Sequence, residues 1–128
     1  RSKWGSQNIY SKIIMKKNIE NTVGPFVHSV YFWLKNPNNH ESTNAFEKAI
    51  RKLIRTNPQA TFNHFGKAAE VEERAVVDNS FTYFYMMIFS NLDKQNAYQI
   101  DPTHELFIKE AAHLWERVIV YDSISENT

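Results

Sequence analysis

A tyrosine and a histidine on either side of a proline break, with an aspartate closing the strand-like run that follows, are the residues of this chain best suited to chemistry. They lie in AYQIDPTHELFIKEAAHLWERVIVYDS, residues 97–123. Asp101-Pro102 divides the helical pattern into two short pieces, because proline fits a first helical turn and disfavours helix just before it. Tyr98 and His104 flank that break, where two short helices turning over a sheet edge can bring them near one point. A neutral imidazole there can take a proton alpha to a carbonyl, and a tyrosine hydroxyl can donate to the oxyanion that develops.

Other constellations are weaker. The chain has no cysteine, which excludes disulfides, thiolate catalysis and Cys-ligated metals. His40, His64 and His113 lack ligand spacing and read as surface or packing residues, so no metal is expected. With no Gly-rich phosphate loop, nucleophile elbow or Walker pattern, no cofactor is expected either. Glu70, Glu72, Glu73 and Arg74 read as a solvated loop; the alternative is a lid in which Arg74 meets an anionic substrate. A formal net charge of +1 argues against nucleic acid as a partner, since phosphate binding needs a concentrated basic field. No apolar run approaches the roughly 18 residues that span a membrane, so no membrane partner is expected.

The elements that must position Tyr98 and His104 can be read from periodicity. A chain of 128 residues suggests one domain, expected over 25–125. Residues 1–24 are polar and unpatterned and are expected to stand outside the fold. They read either as added residues ahead of a start at Met15 or as the tail of a processed leader. After Gly24-Pro25, FVHSVYFWLK (26–35) reads as a strand, with His28, Val30, Phe32 and Leu34 on one face and Val27, Ser29, Tyr31 and Trp33 on the other. From Glu41 to about Thr56 the period becomes helical, with Phe46, Ala49, Ile50, Leu53 and Ile54 on one stripe. A weaker strand is expected over 61–67 and a strong one over 80–89. Ser90 to Asp93 reads as a capping box opening a helix through about Ile100. A second helix is expected from Thr103 to Leu114, and a last strand over 116–123. The order β-α-β-β-α-β, with its second helix split, is the ferredoxin-like α+β pattern: an antiparallel four-stranded sheet with helices on one face. The other face would leave Val27, Tyr31, Trp33, Phe84, Met86 and Ile88 bare. Such a patch predicts a homodimer in which two sheets close face to face as a β-barrel. Residues 1–24 are too polar to match it.

The opening strand VHSVYFWLK, the Pro102-Thr103-His104 motif and the closing LWERVIVYD (114–122) together resemble the stress-responsive α/β-barrel family of small dimeric domains, over about residues 26–123. Most members are domains of unclear activity. One branch, the olivetolic acid cyclase-type polyketide cyclases, performs an intramolecular aldol condensation without cofactor or metal. The resemblance implies a pocket between helices and sheet, with His28, Tyr98 and His104 as acid–base residues and Asp122 at the matching aspartate. Asp101 departs from the pattern, standing where those cyclases have another histidine. Glu47 and Ile50 stand where they have pocket aromatics, which implies a different substrate.

The residues themselves support the same placement. His28 shares its face with Val30 and Phe32. In this topology the first and last strands are antiparallel neighbours, so Asp122 can hold one imidazole nitrogen of His28 and set its tautomer. Val30, Phe32, Phe46, Ile50, Tyr85, Val118 and Val120 are then expected to line the pocket. Three readings stay open at this point. A small apolar or aromatic molecule is bound without turnover; a cofactor-independent enzyme abstracts a proton alpha to a carbonyl; or the residues are structural. In the last case His28 is a hydrogen-bonded core histidine, His104 a helix cap, and Tyr98 a core aromatic whose hydroxyl reaches solvent.

Overall fold

The computed structural model describes residues 24–126. The expectation for residues 1–24 therefore lies, but for Gly24, outside the described residues. Strand β1 (Phe26–Leu34) is followed by helix α1 (His40–Thr56), strands β2 (Phe62–Lys67) and β3 (Tyr83–Phe89), helices α2 (Leu92–Gln99) and α3 (Pro102–Ala111), a 3₁₀ turn (Ala112–Leu114) and strand β4 (Trp115–Ile124). The sheet order is β2-β3-β1-β4, with each of its three strand pairs antiparallel. This is the ferredoxin-like α+β fold.

Local chemistry explains the boundaries. The Asn39 side chain caps α1 by accepting from the Ser42 N–H at 2.8 Å, satisfying a donor that the helix itself cannot. Its buried residues Phe46, Ala49, Ile50 and Leu53 follow the helical repeat and lie against the sheet. Helix α2 is capped by Asn91, which accepts from the Lys94 N–H at 3.0 Å, one residue later than the capping box expected at Ser90. Helix α3 is capped by Asp101, which accepts from the Thr103 N–H at 2.9 Å. Pro102 fills its first turn, where a missing N–H costs nothing.

Two boundaries differ from expectation. Strand β3 begins at Tyr83 rather than at residue 80, because Ser80 and Thr82 are engaged with the end of β1. Trp33 Nε1 donates to Ser80 Oγ at 3.0 Å, the Leu34 N–H donates to Thr82 Oγ1 at 3.1 Å, and the Thr82 N–H donates to the Phe32 carbonyl. The last helix tightens into the 3₁₀ turn after Ala111, and β4 starts at Trp115. The Lys35 N–H donates to the Leu114 carbonyl across this junction, continuing the β1–β4 pairing into the turn.

One face of the sheet is buried under the helices. Val30, Phe32, Leu34, Tyr83, Tyr85, Met87 and Phe89 form a core with Phe46, Ile50 and Leu53 of α1 and Phe107 of α3. The opposite face carries Val27, Ser29, Tyr31 and Trp33 of β1, and Phe84, Met86 and Ile88 of β3, all partly exposed. Ile119 and Tyr121 of β4 extend it, and Tyr121 is 65% exposed. No helix among the described residues lies over these side chains in the way α1 and α3 cover the other face.

Candidate functional site

The β1–β4 ladder sets His28 directly across from Asp122, both on the helix-facing side of the sheet. His28 Nδ1 lies 2.6 Å from Asp122 Oδ1. The carboxylate accepts the Nδ1 proton, which leaves the lone pair of the neutral ring on Nε2. Burial is unequal across the pair: the His28 side chain is 4% exposed and that of Asp122 34%.

Around the imidazole stand rings from three further elements. His28 packs edge-on to Tyr85 of β3, with ring centroids 5.9 Å apart, and to Tyr98 of α2, at 5.7 Å. Tyr98 in turn packs 4.5 Å from His104 of α3. The Pro102 break thus brings Tyr98 and His104 together, as the spacing implied, and β1 adds His28 to the group. The hydroxyls of Tyr85 and Tyr98 are 2.5 Å apart. One proton is shared within this pair, and the other is left for a different acceptor.

Electrostatics follow from burial. His104 is pushed down to about 4, chiefly by desolvation and secondarily by the nearby His28, against a hydrogen bond to the Gln99 backbone. It is a neutral imidazole at pH 7. Burial raises Tyr98 well above the usual phenol value, reinforced by Tyr85, and burial also raises Tyr85. Both therefore stay protonated as donors. Burial works to raise Asp101, but hydrogen bonds from Thr103 and Gln59 outweigh it and hold its carboxyl below the usual range. Asp101 is thus the cap of α3, and His104 is a buried member of the helix rather than a capping residue. Tyr98 is fully buried, so its hydroxyl meets Tyr85 and not solvent.

A cavity of about 20 Å³ lies between α3 and the sheet, enough for about one water molecule. Its walls are His28, Val30, Phe32, Tyr85, His104, Phe107, Ile108, Trp115, Val118 and Val120. Of the residues expected to line a pocket, Val30, Phe32, Tyr85, Val118 and Val120 do so. Phe46 and Ile50 do not: both are fully buried in the core, where Phe46 stacks on Tyr83 at 4.9 Å. Tyr98 is not a cavity wall either; its hydroxyl is bound to Tyr85, which is one. Sequence reasoning missed Phe107 and Ile108 and gave Trp115 only an anchoring role. The available signal was helical spacing, since positions 107 and 108 share a face with His104. Among the described residues, no group of three or more His, Asp or Glu side chains is placed to hold a metal ion.

Fold and site together define a small ferredoxin-like α+β domain with a buried histidine, paired to a partly exposed aspartate, on an apolar cavity. The model of the stress responsive A/B barrel domain matches residues 26–125, and the chain belongs to that family. None of the curated proteins matches it. Among solved structures, the chain is similar to the hydroxynitrile lyase from Passiflora edulis, at 20% identity and a TM-score of 0.68 over 83% of this chain and 97% of that one. It is similar to a Dabb family protein with a ferredoxin-like fold from Mesorhizobium loti, at 17% identity and a TM-score of 0.66 over 81% and 99%. A dimeric protein of unknown function and ferredoxin-like fold from Bacteroides fragilis gives 22% identity and a TM-score of 0.62 over 81% and 99%. At these identities the likeness concerns the fold. No helix among the described residues is long and apolar enough to cross a membrane.

Proposed function

We propose that this chain forms a homodimer that binds a small, largely apolar carbonyl compound between helices and sheet and moves a proton alpha to the carbonyl without a cofactor. The observation that carries this reading is the His28–Asp122 contact on an apolar cavity that also meets a neutral His104. In the forward step, the C–H bond alpha to the carbonyl breaks and its proton passes to Nε2 of His28. The electron pair left behind becomes an enolate, and Asp122 stabilises the imidazolium through Nδ1. The Tyr85–Tyr98 pair has one hydroxyl proton left to donate to the enolate oxygen. Returning a proton from His28 to carbon completes an exchange that consumes nothing. That the hydroxynitrile lyase from Passiflora edulis shares the fold supports the idea that this scaffold can host an enzyme.

Deuterium exchange of acetone in D₂O, followed by proton NMR, tests the reaction. Exchange above the buffer rate that saturates with acetone is the expected result; exchange at the buffer rate overturns turnover. The size of the cavity favours a second reading, binding without turnover, because about 20 Å³ leaves little room for a reacting pair. A ligand that moves the His28 ring signals yet undergoes no exchange selects that reading.

The dimer rests on the bare sheet face. Tyr31, Trp33, Phe84, Met86, Ile88, Ile119 and Tyr121 make a partly exposed apolar face of the kind that marks a protein–protein contact, and the similar protein from Bacteroides fragilis is dimeric. An isologous, face-to-face closure of two sheets covers it. Sedimentation equilibrium at micromolar concentration should give twice the chain mass, and a monomer there refutes the assignment.

A further inference from the structure

We propose that the loop between β2 and β3 docks on the second copy of the chain, its tip entering an aromatic groove on the partner's sheet and its glutamates pairing with Arg117 there. The inference rests on the homodimer reading above and adds the residues through which one copy completes the other.

The groove lies on the bare face of the sheet and measures about 320 Å³, room for several side chains. Tyr31 and Trp33 of β1, Arg117, Ile119 and Tyr121 of β4, and Phe81 line it. Tyr31 packs edge-on to Phe81 at 5.1 Å and to Tyr121 at 6.1 Å. The Arg117 guanidinium lies 4.3 Å from the Trp33 ring centroid, and Trp33 is itself held by its bond to Ser80 Oγ. Stacking orients a guanidinium while leaving its N–H fork open to a carboxylate. Among the described residues none forms an ion pair with Arg117. Asp78 borders the groove, but its carboxylate accepts from the Ser80 N–H at 2.9 Å. Hydrogen bonds from Ser80 are what chiefly hold Asp78 low, with Arg117 a lesser influence.

The loop carries what the groove lacks. The Val77 N–H donates to the Arg74 carbonyl at 2.9 Å, closing a turn with Ala75 and Val76 at its tip. Val76 is 86% exposed and Val71 54%. Glu70, Glu72 and Glu73 lead into the turn, all exposed, and among the described residues none of them is in an ion pair. An apolar tip beside unpaired carboxylates complements a ring-lined groove that holds an unpaired guanidinium. Val76 borders the groove of its own chain yet stays open to solvent, so it does not fill that groove. An isologous contact brings the same surface of both copies together. A two-fold axis beside this border therefore sets each tip over the partner's groove.

Sedimentation equilibrium on Arg117→Glu, on Glu72→Lys/Glu73→Lys and on their equimolar mixture tests the contact. One chain is isotopically labelled, so that native mass spectrometry separates mixed pairs from like ones. All three positions are exposed, and circular dichroism should match wild type. Each variant alone should dimerise about tenfold or more weakly, because like charges then face each other. In the mixture both junctions regain opposite charges, so mixed dimers should outnumber like ones and approach wild-type affinity. Should Arg117→Glu fail to fold, the loop variant alone carries the comparison. Wild-type affinity in a folded variant, or a mixture without preference for mixed dimers, would overturn the contact and leave the dimer standing. A monomeric wild type would remove the dimer and the contact together.

Discussion

Replacing His28 by glutamine is expected to lower acetone exchange by about 10²–10⁴-fold, the contribution of a positioned acid–base group, while leaving the chain folded. Glutamine keeps much of the volume of the imidazole and can still donate to Asp122, so the β1–β4 contact survives without a base. Asp122→Asn sharpens the result. The asparagine amide can donate to Nδ1, which turns that nitrogen into the acceptor and moves the ring proton to Nε2, the atom that must accept from substrate. The same tautomer error explains the large loss when the orienting aspartate of a serine protease triad is amidated. Asp122→Asn should therefore lose a comparable share of activity while the far-ultraviolet circular dichroism stays unchanged. Full exchange in a folded Asp122→Asn would mean that His28 is a structural histidine and that the base lies elsewhere.

The second large effect concerns acid stability and needs no substrate. Folded His104 titrates at about 4 against an ordinary value of 6.5. Between those values the unfolded chain takes up a proton at this position that the folded chain refuses, so stability is intact above pH 6.5 and falls as the pH falls toward 4. Each pH unit between the two values is worth about 1.4 kcal/mol, so the loss approaches roughly 3 kcal/mol for this one group. Urea unfolding at pH 7, 5.5 and 4.5 should show the decline in wild type. His104→Leu, which cannot take up a proton, should flatten that part of the profile even if its stability at pH 7 is lower. An equal acid decline in both proteins would place its origin in other groups.

Much of the fold was legible because it depends on local repetition. The two-residue alternation of β1, the helical stripe Phe46–Ala49–Ile50–Leu53 and the Pro102 break each declare one element. The topology then makes β1 and β4 neighbours, which brings His28 to Asp122 although they are far apart in sequence. Capping at Asn91 instead of Ser90 is a small slip of the same local kind. The two candidates for cap differ by one residue, and only backbone geometry decides which side-chain oxygen reaches a free N–H.

By itself, then, the sequence determined the order of elements, the burial of one sheet face and the exposure of the other, and the meeting of His28, Tyr98, His104 and Asp122. The elements, the two sheet faces, the His28–Asp122 pairing and the nearness of Tyr98 to His104 follow from periodicity, strand order and the Pro102 break. The meeting of His28 with Tyr98 and His104 is what the family resemblance implied. Only the tertiary structure decided that Tyr98 meets Tyr85 instead of solvent, that His104 is held neutral, and that Phe46 and Ile50 belong to the core while Phe107, Ile108 and Trp115 wall the cavity. Those outcomes depend on how side chains from different elements fill a shared volume and exclude water from it. Close packing is a property of the whole interior, and no repeat along the chain encodes it.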